Sequence, residues 1–354
     1  MNLLFQLSDV QYKKQKFRNS KLNNYNKLLG DVIMNRVTGI VYDNIKYNND
    51  YPLEFRETLK ILTQHNVKVA ETYCSQVKYI SKILKDVKFK YALLKGAFLI
   101  TKLYVQGMRT ANDIDILIRQ EDVDECQNIL KDNGFVQGWY QKPFGIIYAH
   151  RKDIIQSRIN NGETVPFVKL HNGKVITIDL NFSVDYKPES ENKVVCEFLS
   201  NTCYTNVDEA QFLTLDKVDF LIHLCCHLYK EATTYNWVLN NNDMKLYKFC
   251  DINFFLKKYL NEEFINKLSK RIIDLDLQKE CYYALENTGT IYPSLFEKKI
   301  FYNVIESIKP HNTDFMKQII WPSKKKIYKY DMTFEEWFMC DDKINNLIEV
   351  KTNV

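Results

Sequence analysis

The chain has 354 residues, of which 45% are hydrophobic and 14% aromatic, enough to fill the cores of about two domains and too apolar for a disordered chain. With 49 Lys plus Arg against 44 Asp plus Glu, the net charge of +5 is a mild excess that permits a nucleotide or nucleic-acid partner without demanding one. No run of about 18 apolar residues occurs, and the start MNLLFQLSDV turns polar too soon for a signal peptide, which argues against a membrane span and for a cytoplasmic location. The nine cysteines, an odd number without a C-x-x-C pair, read as reduced thiols rather than as a zinc site or a disulfide framework.

Residues 1–90 read as a helical region, clearest from Glu57 to Val87, where Leu59, Leu62, Val69, Tyr73, Val77, Ile80 and Leu84 recur on one face. At Tyr91 the texture changes to a short apolar strand stopped by Lys95-Gly96 and followed by a helix over Ala97–Val105. Gly107 closes that helix, and Asp113–Ile118 then alternates carboxylate with isoleucine, the period of a half-buried strand. Glu121–Asn133 is predicted as an amphipathic helix ended by Gly134. Residues 139–185 are expected to be strands and loops, with turns at Asn160-Asn161-Gly162 and Asn172-Gly173 and a strand over Val175–Phe182. From Leu213 onward the pattern is helical, including Leu246–Tyr259 and Glu263–Leu275, with an exposed loop at Asn240–Asp243. The expected fold is α+β, a small mixed sheet over 91–190 between an N-terminal helical region (1–90) and a C-terminal helical domain (191–354).

Residues two apart in a strand share a face, so Asp113 and Asp115 project together while Ile114, Ile116 and Ile118 pack the other way. Two such carboxylates repel unless a proton or cation lies between them, and hard oxygen ligands of this kind suit Mg²⁺. The Val175–Phe182 strand offers a third, Asp179, on the face it shares with Thr177 and Asn181. If the two strands are neighbours, three carboxylates converge, the ligand set for one or two metal ions in phosphoryl transfer. Lys95 and Gly96 at a strand-to-helix turn, with Ala97 keeping a backbone amide available, and Arg109 upstream of the acids, supply the expected phosphate contacts. Taken singly, each feature has a plainer reading: D-x-D is more often a solvated strand edge, and Lys-Gly an ordinary turn. His223 and His227, four apart on a helix, are better read as packing or hydrogen-bonding groups than as a zinc pair, since the zincin glutamate is missing. The basic runs Lys13-Lys14 with Lys16 and Arg18, and Lys324–Lys326 beside Tyr328 and Tyr330, are candidate nucleic-acid contacts, although charge runs are usually solvated faces.

Leu94-Lys95-Gly96-Ala97, Gly107-Met108-Arg109 and Asn112-Asp113-Ile114-Asp115-Ile116-Leu117 together resemble the uncharacterised nucleotidyltransferase family of the polymerase-β-like superfamily. The resemblance covers most of residues 60–260 and implies a Mg²⁺-dependent enzyme moving a nucleoside monophosphate, AMP by default, from a nucleoside triphosphate to an acceptor, with pyrophosphate released. The resemblance also maps Asn181 onto a position where the family has histidine, and it implies that Asn181, His223, His227 and Asp251 line the cleft. The acceptor, whether small molecule, peptide, protein or RNA, is left open, as is the oligomeric state. A catalytically impaired nucleotide-binding scaffold in a biosynthetic complex, and a toxin that modifies tRNA or protein, remain alternatives on the same fold.

Overall fold

The computed structural model describes residues 2–10, 24–184 and 193–350. The Lys13, Lys14, Lys16 and Arg18 run lies outside them. The chain forms two compact units, one from residues 61–220 and the other from residues 1–60 together with 221–354. These limits differ from 90/91 and 190/191 because the second half of helix Leu53–Ile83 packs onto the sheet, and because a β-hairpin follows residue 200.

The 61–220 unit is built on a six-stranded mixed sheet. Its strands are β1 (Tyr91–Leu93), β2 (Ile114–Ile118), β3 (Val136–Gln141), β4 (Gly145–Tyr148), β5 (Phe167–His171) and β6 (Lys174–Asn181), arranged β1-β2-β6-β5-β3-β4. Every pairing is antiparallel except β2 with β6, which run parallel. A separate hairpin joins β7 (Thr202–Val207) to β8 (Ala210–Leu215). On one sheet face Ile114, Ile116, Ile118, Ile176, Ile178 and Leu180 pack with Tyr73, Val77 and Ile80 of the long helix and with Cys126 and Leu130 of helix Val123–Asp132. Each isoleucine buried so completely contributes about 1.5–3 kcal/mol, which holds the alternation of β2 and β6 in register. The opposite face carries Asp115 and Asp179, together with Leu117, Thr177 and Asn181.

The β5–β6 turn is the Asn172-Gly173 pair expected for a two-residue hairpin, with φ of +49° and +70°. Asn160-Asn161-Gly162, by contrast, is no hairpin turn. It is the end of a helix, Arg151–Asn161, capped by Gly162 at φ +66°. The sheet is therefore larger than expected, and a helix interrupts the stretch read as strands and loops.

The unit formed by 1–60 and 221–354 is mainly helical and includes helices Leu246–Tyr259 and Glu262–Asp274. It also holds a three-stranded sheet of β9 (Gln318–Trp321), β10 (Lys326–Lys329) and β11 (Ile348–Glu349), with β10 central, where helix had been expected. Asp243 does not lie in an exposed loop: it is 1% exposed and paired with Lys343 Nζ at 2.6 Å. Tyr330 is buried and stacked on Trp337 at 3.9 Å between ring centroids, and Lys326 pairs with Glu349 at 2.9 Å. The basic run Lys324–Lys326 consequently has no free Tyr330 ring on which a base could stack. No helix among the described residues is long and apolar enough to cross a membrane, and none of the nine cysteines forms a disulfide.

Candidate active site

The parallel pairing of β2 with β6 sets Asp115 directly opposite Asp179, a rung of two carboxylates on adjacent strands. Asp113 stands one residue before β2 and adds its charge to both. Asp115 is 4% exposed, and its Oδ1 accepts a hydrogen bond from Lys95 Nζ at 2.6 Å. Its carboxyl is raised to about 6 as the net of burial, which pushes it up most, Lys95, which pulls it down, and Asp113 and Glu163, which push it up. Asp179 is raised as well, first by burial and then by Asp115, Asp113 and Glu163. Its Oδ1 is buried with no hydrogen-bond partner. For Lys95 burial acts to lower the pKa, but Asp115, Asp113 and Asp179 together raise it above its ordinary value. Three carboxylates thus act on the same ammonium.

Lys95 reaches Asp115 from a strained turn, with φ +39° and ψ −110°, a region that side-chain-bearing residues rarely adopt. Gly96 follows it, and the reason for glycine is steric. A Cβ there would lie 2.7 Å from the Ala111 Cβ and 2.7 Å from the Tyr73 hydroxyl. The amide expected to remain available at Ala97 is already used, because Ala97 N–H donates to the Leu94 carbonyl at 3.0 Å. Ala97 itself is part of the core. Arg109 is 7% exposed and donates from Nη1 to the Thr110 carbonyl. Asn181 donates from its side-chain amide to the Asp179 carbonyl at 3.2 Å.

Two side chains near the acids were not picked out as site residues. Tyr73, read only as part of the helix's apolar face, has a buried hydroxyl without a hydrogen-bond partner, and its pKa is raised well above normal by burial and then by Asp115 and Asp113. Glu163 enters because it bridges across to Asn181 in the sheet. Neither carries a motif in the sequence, since their proximity arises only from the packing of distant segments.

His223, His227 and Asp251 belong to the other compact unit. The two imidazoles stack there at 6.3 Å between ring centroids, and His227 Nε2 lies 3.4 Å from Glu231 Oε1. Among the described residues no three His, Cys, Asp or Glu side chains are arranged to enclose a metal ion as they stand. What the Asp113, Asp115 and Asp179 set does present is an excess of hard oxygen donors over nearby cations and one orphaned buried oxygen, and a divalent cation would complement both.

A family model described as "Uncharacterised nucleotidyltransferase" matches residues 23–293, more than half of the chain. The chain belongs to the uncharacterised nucleotidyltransferase family. The match includes the acid rung, Lys95, Gly96 and Arg109, as well as His223, His227 and Asp251 of the second unit. Membership implies a nucleotide substrate and nucleotidyl transfer as its general chemistry. The crystal structure of an antigenic nucleotidyltransferase-like protein from Paracoccidioides brasiliensis is similar over 71% of this chain and 95% of that chain, at 12% identity and a TM-score of 0.37. No curated protein matches.

Proposed function

We propose that this nucleotidyltransferase moves a nucleoside monophosphate, AMP by default, from its triphosphate to a hydroxyl of an acceptor, with Asp113, Asp115 and Asp179 holding Mg²⁺. The observation that carries this reading is the Asp115–Asp179 rung, in which Asp179 Oδ1 is buried without a partner. Bound there, Mg²⁺ supplies Lewis acidity toward the reacting hydroxyl and charge compensation for the leaving pyrophosphate. The acceptor oxygen forms a bond to the α-phosphorus, the bond to the bridging oxygen breaks, and pyrophosphate leaves with that electron pair. Asp179 takes the hydroxyl proton. Lys95 and Arg109 hold the triphosphate by charge, the ammonium as a point and the guanidinium as a fork.

A second reading, a nucleotide-binding scaffold without turnover, has specific support. The Ala97 amide is spent within the turn, and Lys95 is closed onto Asp115. Calorimetric titration of ATP, GTP, CTP and UTP with Mg²⁺ into wild type and Asp113→Asn/Asp115→Asn tests both readings. Metal-dependent binding that the double variant loses is the expected result and names the donor. Failure of the folded wild type to bind any of the four sinks the enzyme proposal, and binding without pyrophosphate release in an acceptor screen favours the scaffold.

A further inference from the structure

Asp179 also borders a cavity of about 450 Å³ within the 61–220 unit. That size suits one small molecule. Its lining includes Glu163, Thr164 and Trp139, with Gln156 and Ser157 from the helix Arg151–Asn161. Asp153, on the same face of that helix, lines it too, but its Oδ2 accepts from the His150 amide at 3.1 Å. Among the described residues no Lys, Arg or His lines the cavity. Two of the residues that line it also carry a buried polar atom without a hydrogen-bond partner. Thr164 is 2% exposed and its Oγ1 has no hydrogen-bond partner, the same condition as Asp179 Oδ1. Buried hydroxyls and carboxylate oxygens seldom remain unpaired, so both point to a ligand that donates hydrogen bonds. Trp139 is 42% exposed and lends an indole face to the same wall.

We propose that this cavity is the acceptor subsite and that it takes a small polyhydroxylated molecule bearing a protonated amine. The proposal rests on the nucleotidyl-transfer reading above. A wall of carboxylates without a basic side chain repels phosphate, which disfavours a sugar phosphate or an RNA end and favours an ammonium. Glu163 receives that ammonium, Thr164 and Asp179 bond acceptor hydroxyls, and Trp139 covers the C–H face of the ring. The hydroxyl on Asp179 is the one that bonds to the α-phosphorus as its proton passes to that carboxylate and pyrophosphate departs.

The test is a titration of the full chain, first with Mg²⁺ and a non-hydrolysable analogue of each of ATP, GTP, CTP and UTP, and then, with the analogue that binds in place, with glucosamine, glucose, glucose 6-phosphate or a short oligoribonucleotide. Wild type, Glu163→Gln and Trp139→Ala are compared after confirming native melting. Glucosamine is expected to bind about tenfold more tightly than glucose, with the phosphorylated sugar and the RNA weaker than both. Glu163→Gln should erase the amine preference, and Trp139→Ala should weaken both sugars alike. The proposal is overturned if glucosamine shows no advantage over glucose, if glucose 6-phosphate or RNA binds better, or if Glu163→Gln keeps the preference. Loss of the first, nucleotide step in wild type removes the parent reading instead, so the two failures are distinguishable.

Discussion

The two compact units each bury charged groups, and they do so in opposite ways. In the 1–60 and 221–354 unit, Lys343 and Asp243 are 5% and 1% exposed and close on each other at 2.6 Å. In the 61–220 unit Lys95 meets Asp115 at the same 2.6 Å, but Asp113 and Asp179 add two further carboxylates and leave the cluster acidic. Removing either half of a closed pair strands a buried charge, whereas an acidic surplus is already uncompensated. The closed pair therefore serves folding, and the surplus is maintained against folding.

The largest effect that could break this contrast is catalytic. Asp113→Asn/Asp115→Asn is expected to lower nucleotidyl transfer by about 10³-fold or more, since metal-held charge compensation amounts to several kcal/mol, while far-UV circular dichroism remains native. Retained turnover would dissolve the distinction between the two clusters. Next in size, Lys343→Met should reduce the free energy of unfolding by about 3 kcal/mol in urea titrations by leaving Asp243 buried and unpaired. Replacing both partners, as Asp243→Leu with Lys343→Met, should recover most of that loss.

Asp179→Asn should move the other way. Removing a buried carboxyl whose ionisation is opposed by burial and by Asp115 and Asp113 is expected to stabilise the metal-free protein by on the order of 1 kcal/mol at neutral pH. The same substitution should abolish any rise in melting temperature on adding Mg²⁺. A drop in stability of the metal-free variant would mean that Asp179 is paired in solution. The smallest effect is a pH slope. Asp115 sits at about 6 in the fold against an ordinary value of 3.8, so the folded chain binds more protons than the unfolded chain between those values. The stabilisation from protonation is present in full below about pH 4 and is lost as pH rises through about 6, and Asp179, raised as well, acts in the same direction. Melting curves across pH 4–7 in EDTA should show this fall, and Asp115→Asn should shrink it.

What was legible in the sequence follows the same physical lines. Asp113 to Ile118 announces itself because one face of β2 is pure isoleucine, and the Asn172-Gly173 turn because few other pairs accept two positive φ angles. Helix Arg151–Asn161 was hidden, since RKDIIQSRINN has almost no apolar stripe and Ile155 and Ile159 remain exposed. The β7–β8 hairpin was hidden for a related reason: its turn uses Asp208 at φ +49° in place of glycine, and TCYTNV has no clean alternation. Among the site residues, Asp113, Asp115, Asp179 and Lys95 carry local signals. Tyr73, Glu163 and Trp139 do not, since their relation to the acids depends on long-range packing.

Backbone pairing fixes Asp115 opposite Asp179, so side-chain motion alone can relieve little of their repulsion. Below about pH 6 the metal-free fold is accordingly expected to store a proton on this rung. Any cation that enters the rung must displace what is stored, so binding will acidify an unbuffered solution. Its apparent heat will change with the ionisation enthalpy of whichever buffer takes up the proton.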